Sequence, residues 1–317
     1  MEFFAQKIAV ITGPTATGKT ALGVALAKEL DGEIVSADSM QVYRRMDIGT
    51  AKVTLEEMQG VPHHMLDVAE PYENYSVARY VNQADVCVQD ILKRGKLPII
   101  VGGTGLYIDS LIAGRDFGED SSDEALRLEL SARYDSVGGE KMLEELGAFD
   151  PERAKKLYPS DKNRIVRALE VYYTSGKTIT QHDDETRKLP PRYDAAEIAL
   201  SFEDRADLYA RIDKRAELMA DSGLFDEVRA LLKSGVPEKC TAMQAIGYKE
   251  AAMALRGEIS ENEALEIIKR ESRRYAKRQL TWLRRKENIG WILWKIAPDF
   301  DFGRQFSTNY LLSHGLK

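Results

Sequence analysis

Eight consecutive residues, Gly13-Pro14-Thr15-Ala16-Thr17-Gly18-Lys19-Thr20, carry the densest chemistry in the sequence. They satisfy G-x-x-x-x-G-K-[ST] at every fixed position. Such a loop curls its backbone so that successive N–H groups converge on a phosphate, the following helix start adds its positive dipole end, Lys19 neutralises the outer oxygens, and the Thr20 hydroxyl can hold Mg2+. A second candidate is Asp38, in the stretch SADSMQVY (36–43). A carboxylate beside a phosphate cradle can accept a proton from an incoming nucleophile or hold a metal-bound water, and helix capping is its bland alternative. Gly176-Lys177-Thr178 repeats the last three letters of the loop, but Val171 stands where the first glycine belongs, so it is no second cradle. His63 and His64 are adjacent on an extended segment and therefore point opposite ways, which predicts structural or substrate-orienting use and no zinc.

These residues need elements to carry them. KIAVIT (7–12) is a short, β-branched apolar run that reads as a buried strand feeding the loop, and residues 18–30 have helical spacing. EIVSA (33–37) reads as a second strand ending at Asp38. Ser76 caps a predicted helix reaching Arg94 and closed by Gly95, and LPIIV (97–101) is a third strand running into Gly102-Gly103-Thr104-Gly105. Apolar rather than alternating strands, separated by helices, predict an α/β fold of the P-loop NTPase-like kind: a parallel sheet covered on both faces, with ligands gathered at the carboxyl ends of its strands. From about residue 115 to 191 strand signals vanish and charged helical stretches follow one another (124–134, 141–146, 164–173). The expected organisation is a core of residues 1–114 and 192–317, interrupted by a helical insertion of residues 115–191. AEIALS (196–201) should return to the sheet, helices are expected near 208–219, 225–232 and 242–255, and WILWKI (291–296) reads as a last strand.

Composition narrows the function classes. The 317 residues are 44% hydrophobic and 30% charged, as in a globular protein, and no apolar run approaches a membrane span. The start shows no basic region or cleavage site, so the expectation is a cytoplasmic protein without membrane attachment. Cys87 and Cys240 lie far apart without a CxxC, which leaves no disulfide framework or cysteine zinc site and suggests packing roles. Net charge is −6, yet residues 269–287 hold nine basic and two acidic side chains, a local +7 that leaves −13 for the rest. One concentrated basic helix in an acidic chain suits local capture of a polyanion; a solvated helix face is the alternative.

The motifs together resemble a known family, the tRNA dimethylallyltransferases or tRNA isopentenyltransferases. The likeness runs through GPTATGKT, SADSMQVYRRMDIGTAK (36–52), PHHMLD (62–67), VGGTGLY (101–107), NRIVRALEVY (163–172), GYKE (247–250) and RRYAKRQLTWLR (273–284), and so covers nearly the whole chain in order. The resemblance implies transfer of a dimethylallyl group from dimethylallyl diphosphate to N6 of the adenosine just 3′ of the anticodon, in tRNAs reading codons that begin with U. The partners would then be the tRNA anticodon stem-loop and dimethylallyl diphosphate, with Mg2+ as cofactor. In that reading residues 13–20 bind the diphosphate leaving group, with Lys19 and Thr20 acting on it directly, Thr20 holds the metal, and Asp38 accepts the N6 proton of a flipped-out adenine. Arg211 corresponds to the family arginine that reaches the diphosphate, and Thr104 to the threonine that lines the tRNA entrance. Ser39 and Gln41 would hold the flipped base by hydrogen bonds; Met40 lies in the same RNA-facing stretch, although its side chain and that of Val42 read as packing. Further tRNA contacts are implied at Arg273, Arg274, Lys277 and Arg278 on the basic helix, with Arg270 on the same face. Others are implied at Gln244, Gly247, Tyr248 and Lys249, and at Asn163, Arg164 and Arg167 in the insertion, which in the family folds over the anticodon stem-loop. Residues 115–123 lack the proline-containing run of many relatives, so Arg127 is placed only loosely. Two rivals remain: a small-molecule or nucleotide kinase, which would bind ATP in the same loop, and a non-catalytic nucleotide- or tRNA-binding protein. A monomer is the default.

Overall fold

The computed structural model describes residues 5–115 and 123–316. The acidic stretch expected to depart from relatives falls mostly on residues 116–122, outside the described residues. In chain order the first elements are β1 (Gln6–Thr12), α1 (Lys19–Glu29), β2 (Gly32–Ser36), α2 (Leu55–Met58), β3 (His63–His64), α3 (Val77–Lys93), β4 (Leu97–Gly102) and α4 (Gly105–Ala113). Five helices follow: α5 (Glu124–Val137), α6 (Gly139–Phe149), α7 (Pro151–Ala154), α8 (Lys162–Ser175) and α9 (Ile179–Lys188). The chain then forms β5 (Tyr193–Phe202), α10 (Arg205–Asp221), α11 (Leu224–Lys233), a short 3-10 turn (Ala242–Gln244), α12 (Tyr248–Leu255), α13 (Glu261–Leu283), β6 (Ile289–Trp294) and α14 (Phe300–Ser313). It divides into two compact units, Met1–Ile112 with Arg192–Lys317, and Ala113–Pro191.

The first unit is built on one six-stranded sheet of order β3-β2-β4-β1-β5-β6, parallel throughout. Its central strands are apolar on both faces because helices cover both: Ile8 to Ile11, Ile34, Val35, Ile99 and Ile100 are all within 2% of complete burial. Strand order places β2, β4 and β1 side by side, so the segments leaving their carboxyl ends share one edge. Those segments begin at Gly13, Ala37 and Gly103. The second unit packs α5, α6 and α8 around Leu130, Met142, Leu146, Ile165 and Leu169. Within it the buried Glu170 carboxylate accepts hydrogen bonds from Arg127 at 3.0 and 2.9 Å and pairs with Arg167 at 2.9 Å.

Several elements differ from the sequence expectation, which has no helix at α2, α4, α7 or α9. The helix expected over 242–255 is broken, because Gly247 adopts φ +99°, outside the helical region, and separates a single 3-10 turn from α12. Strand β3 is only two residues long and joins the sheet edge through His63 and His64. Helix α14 has no counterpart in the sequence expectation; it packs on α1 and β6, and Asp299 caps it. No helix among the described residues is long and apolar enough to cross a membrane.

Candidate active site and nucleic-acid interface

The loop between β1 and α1 is held open by its own backbone and by its neighbours. Gly13 has φ +144°, and a Cβ there would lie 2.4 Å from the Leu200 carbonyl oxygen, so only glycine fits. Ala16 at φ +65° and Gly18 at φ +87° turn the chain back on itself, and Gly18 caps α1. Inside the loop the Thr17 hydroxyl donates to the Pro14 carbonyl at 2.8 Å, and the Trp294 indole N–H donates to the Thr17 carbonyl at 2.9 Å. Lys19 Nζ donates to the same Pro14 carbonyl at 2.6 Å. Burial pulls Lys19 down to about 7; the Arg215 guanidinium adds to this, while the Asp38 carboxylate opposes it. Arg211 Nε donates to the Ala16 carbonyl at 3.2 Å, and its guanidinium lies over the Phe202 ring. The arginine expected at the diphosphate thus lies on the wall of the cradle.

Asp38 follows β2, and its position is set by backbone bonds that continue the β2–β4 pairing. Ala37 N–H donates to the Val101 carbonyl at 2.8 Å, and Thr104 N–H donates to the Ala37 carbonyl at 3.1 Å. Ala37 comes so close that a Cβ on Gly102 would sit 2.2 Å from its oxygen. Asp38 Oδ1 accepts from the N–H groups of Met40 and Gln41 at 2.8 and 3.3 Å, a local turn that leaves Oδ2 without a hydrogen-bond partner among the described residues. Ser39 N–H donates to Thr104 Oγ1 at 3.1 Å. Met40 is half-buried and Val42 fully buried.

A family model described as IPP transferase matches residues 41–286. The chain belongs to the IPP transferase family. It is 49% identical over 288 residues to the tRNA dimethylallyltransferase of Thermoanaerobacter sp. (strain X514), covering 90% of this chain and 91% of that one. It is 47% identical over 314 residues to that of Acetivibrio thermocellus, covering 98% and 99%. Among solved structures, the full-length tRNA isopentenylpyrophosphate transferase of Bacillus halodurans superposes with a TM-score of 0.72 at 40% identity, over 98% of both chains. A eukaryotic dimethylallyltransferase acting on tRNA gives a TM-score of 0.82 at 29% identity, over 98% of this chain and 80% of that one.

In this IPP transferase the basic helix α13 has two faces. Arg270, Arg274, Lys277 and Arg278 on it, and Arg284 and Arg285 just past its end, are exposed, the first four at steps that keep them along one side. Arg270 and Arg274 each contact Glu271, and Arg278 lies over the Tyr275 ring. Lys269 pairs with Glu217 and Glu266, and Lys286 with Asp109 and Glu197, so both basic groups are neutralised within the fold. Arg273, expected to contact tRNA, donates from one guanidinium nitrogen to both carboxylate oxygens of Asp213 on α10 at 2.5 Å, a tie between helices. The opposite face of α13 carries the half-buried Tyr275 and the buried Gln279, with the partly exposed Trp282 at its edge. Burial pushes the Tyr275 hydroxyl up to about 12, and the Asp38 carboxylate pushes the same way. Trp282 stacks over Gly105, where a Cβ would meet its ring at 2.6 Å, and donates to Asp109 at 2.8 Å.

Two expected base- or RNA-contacting side chains have other uses. Gln41 Nε2 donates to the Thr50 and Ala51 carbonyls at 3.3 and 3.2 Å, while its oxygen accepts from Ser36, so the amide holds a loop together instead of offering free groups to a base edge. Tyr248 is fully buried, and its hydroxyl donates to Glu227 at 2.5 Å; its side chain has no surface to offer RNA. Gly247 is buried as well, donating its N–H to Glu250 at 2.8 Å, whereas Gln244 and Lys249 are exposed. Asn163 and Arg164 are exposed on α8, and Arg127 and Arg167 share Glu170 as described above.

Sequence reading missed Gln279, Glu227 and Arg215. Glu227 on α11 accepts the backbone N–H groups of Asp47, Ile48 and Gly49 at 2.8, 2.8 and 3.1 Å, which fixes the loop that Gln41 also holds. Arg215, one turn beyond Arg211, donates to the Thr50 carbonyl at 3.5 Å, and its buried Nε has no partner among the described residues. The available clue was glycine: Gly49, Gly103 and Gly105 are each pressed by a side chain distant in sequence, Tyr248, Gln279 and Trp282 in turn.

Proposed function

We propose that this chain transfers a dimethylallyl group from dimethylallyl diphosphate to N6 of the adenosine 3′-adjacent to the anticodon in tRNAs reading codons that begin with U. The observation that carries this reading is the pairing of a phosphate cradle after β1 with a carboxylate held by backbone bonds after β2, one strand away across β4, beside a helix with an exposed basic face. In the reaction the bond between the prenyl C1 and the diphosphate oxygen breaks as C1 bonds to N6. Asp38 Oδ2 takes the N6 proton. Negative charge grows on the departing diphosphate, and Lys19, Arg211 and the loop N–H groups stabilise it in an enclosed site. The adenine must leave the anticodon stack to reach these strand ends. Exposed cations on α13 bind the RNA backbone, joined by Lys249, Asn163 and Arg164.

Mg2+ fits this site only together with substrate. Among the described residues no group of three His, Cys, Asp or Glu side chains can hold a metal. Thr20, in the first turn of α1, supplies a hard hydroxyl oxygen, and the diphosphate would supply the others, as suits an ion that takes few protein ligands. When bound, the ion would neutralise charge on the leaving group. The enzyme acts as a monomer in the cytoplasm, where unmodified tRNA is found.

The test incubates purified protein with Mg2+, radiolabelled dimethylallyl diphosphate and unmodified tRNA, with γ-labelled ATP in a parallel tube. Label in the tRNA, lost with Asp38→Ala, is expected. Phosphate moved from ATP to a small acceptor, with no label in tRNA, would replace this function with a kinase.

A further inference from the structure

Gln279 lies on the inward face of α13, 8% exposed, between the lysine and arginine pair that precedes it and the tryptophan that follows. Its carboxamide bridges two strand ends. Oε1 accepts the Thr15 N–H of the cradle at 3.2 Å, and Nε2 donates to the Gly103 carbonyl at 2.9 Å. The fit is close: a Cβ on Gly103 would stand 2.3 Å from Nε2, so the glycine is what admits the amide.

The loop needs such an outside tether. Its outer segment, Pro14 to Ala16, is held from within by the Thr17 hydroxyl and by Lys19, both on the Pro14 carbonyl. An incoming diphosphate draws Lys19 Nζ onto its own oxygens. Pro14 to Ala16 then depends on Thr17, on Arg211 at the Ala16 carbonyl, and on Gln279 at the Thr15 N–H. Arg211 itself is expected to turn to the anion, which leaves Thr17 holding the segment from within and Gln279 holding it from outside the loop. Its neighbours Lys277 and Arg278 are exposed on the outer face of the same helix turn. Arg274, three and four residues before them, is exposed on the same side; like charges at those spacings repel until a polyanion covers them, so RNA on the outer face steadies the seat of the inner one.

We propose that Gln279 is a positioning residue that holds the diphosphate cradle in its binding shape and links that shape to RNA bound on the outer face of α13. The RNA half rests on the transferase reading; the cradle half does not.

The experiment titrates inorganic diphosphate with Mg2+ into wild type and into Gln279→Met, which keeps length and helix preference but removes both hydrogen bonds, with and without an anticodon stem-loop. Loss of the tether should weaken diphosphate binding about tenfold. The stem-loop should tighten diphosphate binding in wild type, and the variant should lose that effect while its RNA affinity without diphosphate stays within about twofold of wild type; because coupling is reciprocal, diphosphate should then no longer tighten RNA binding either. In turnover, KM for dimethylallyl diphosphate should rise far more than kcat falls. Diphosphate affinity within twofold of wild type overturns the proposal, and a wild type indifferent to RNA overturns the link. If the Met variant does not fold, Gln279→Asn decides: one methylene shorter, it cannot reach both partners and should show the same loss, and wild-type affinity there overturns the proposal equally. Absence of transfer to tRNA by wild type would sink the transferase reading, while the diphosphate titrations would still judge Gln279.

Discussion

At the strand ends the charged groups are few and enclosed, whereas along α13 they are many and mostly in water. Burial pulls both Lys19 and Arg215 down, the Asp38 carboxylate opposes that in each, and all three side chains are fixed by backbone contacts. On α13 the exposed cations lean on one acidic neighbour, Glu271, or on none among the described residues. Enclosure makes a single group decisive, because few alternatives can replace it in a low-dielectric site. Exposure makes each group worth little, and the sum matters. The two regions should therefore fail differently: the first by losing chemistry, the second by losing affinity in graded steps.

The largest expected effect is at Asp38. Asp38→Ala should lower kcat for prenyl transfer by about a thousandfold, within the range usual for a lost general base, while tRNA affinity measured by filter binding stays near wild type. A comparable loss of affinity would place Asp38 with the RNA surface and remove the contrast between the regions. Next comes a pH effect confined to the cradle. Lys19 titrates at about 7 in the free protein, and binding a diphosphate favours its charged form. Below pH 7 the lysine is already protonated and affinity is level on its account. Above it, binding must take up a proton, so KM for dimethylallyl diphosphate should climb about tenfold per pH unit. Lys19→Arg, always charged, should flatten that climb relative to wild type, and matching profiles would show that Lys19 is not the titrating group.

A smaller, graded effect belongs to α13. Replacing Arg274 and Lys277 by Ala should weaken tRNA binding and lower its salt slope by about 1 to 2, since each lost phosphate contact removes roughly 0.7 to 0.9. Arg274 shares Glu271, so Lys277 should account for the larger part. An unchanged slope would take this helix out of the interface.

How much of this was legible in the sequence follows from the range of the interactions. The strands and the cradle announce themselves locally: an apolar run, a fixed spacing of glycine, lysine and threonine, an aspartate just after a strand. Two-residue β3 has no period to detect. The break at Gly247 depends on one backbone angle, and a lone glycine within helical spacing does not reveal it. Gln279 reads as one polar residue in a basic helix until it is found against Thr15 and Gly103, over 170 residues away in sequence. Gln41 reads as a base-reading amide until the loop carbonyls at Thr50 and Ala51 are seen to occupy it. Side chains with local partners are readable; those whose partners arrive through the fold are not.

Tyr248 gives the finest test of that distinction, because GYKE resembles an RNA-contacting motif while the structure encloses its tyrosine. The hydroxyl donates to a Glu227 carboxylate that also receives three backbone N–H groups, and burial beside that carboxylate holds the phenol well above its ordinary range. Removing the hydroxyl by Tyr248→Phe keeps the ring against Gly49 and takes one donor of four from a charged acceptor. The expected cost is about 1.5 to 3 kcal/mol of stability, read as a fall in Tm of several degrees. The salt slope of tRNA binding should not move, since no phosphate contact is lost. Transfer should fall only modestly, because the loop that meets Gln41 and Arg215 keeps its three backbone bonds to Glu227. A lowered salt slope with unchanged Tm would mean that the tyrosine turns outward to RNA, and would return it to the exposed, graded region of the molecule.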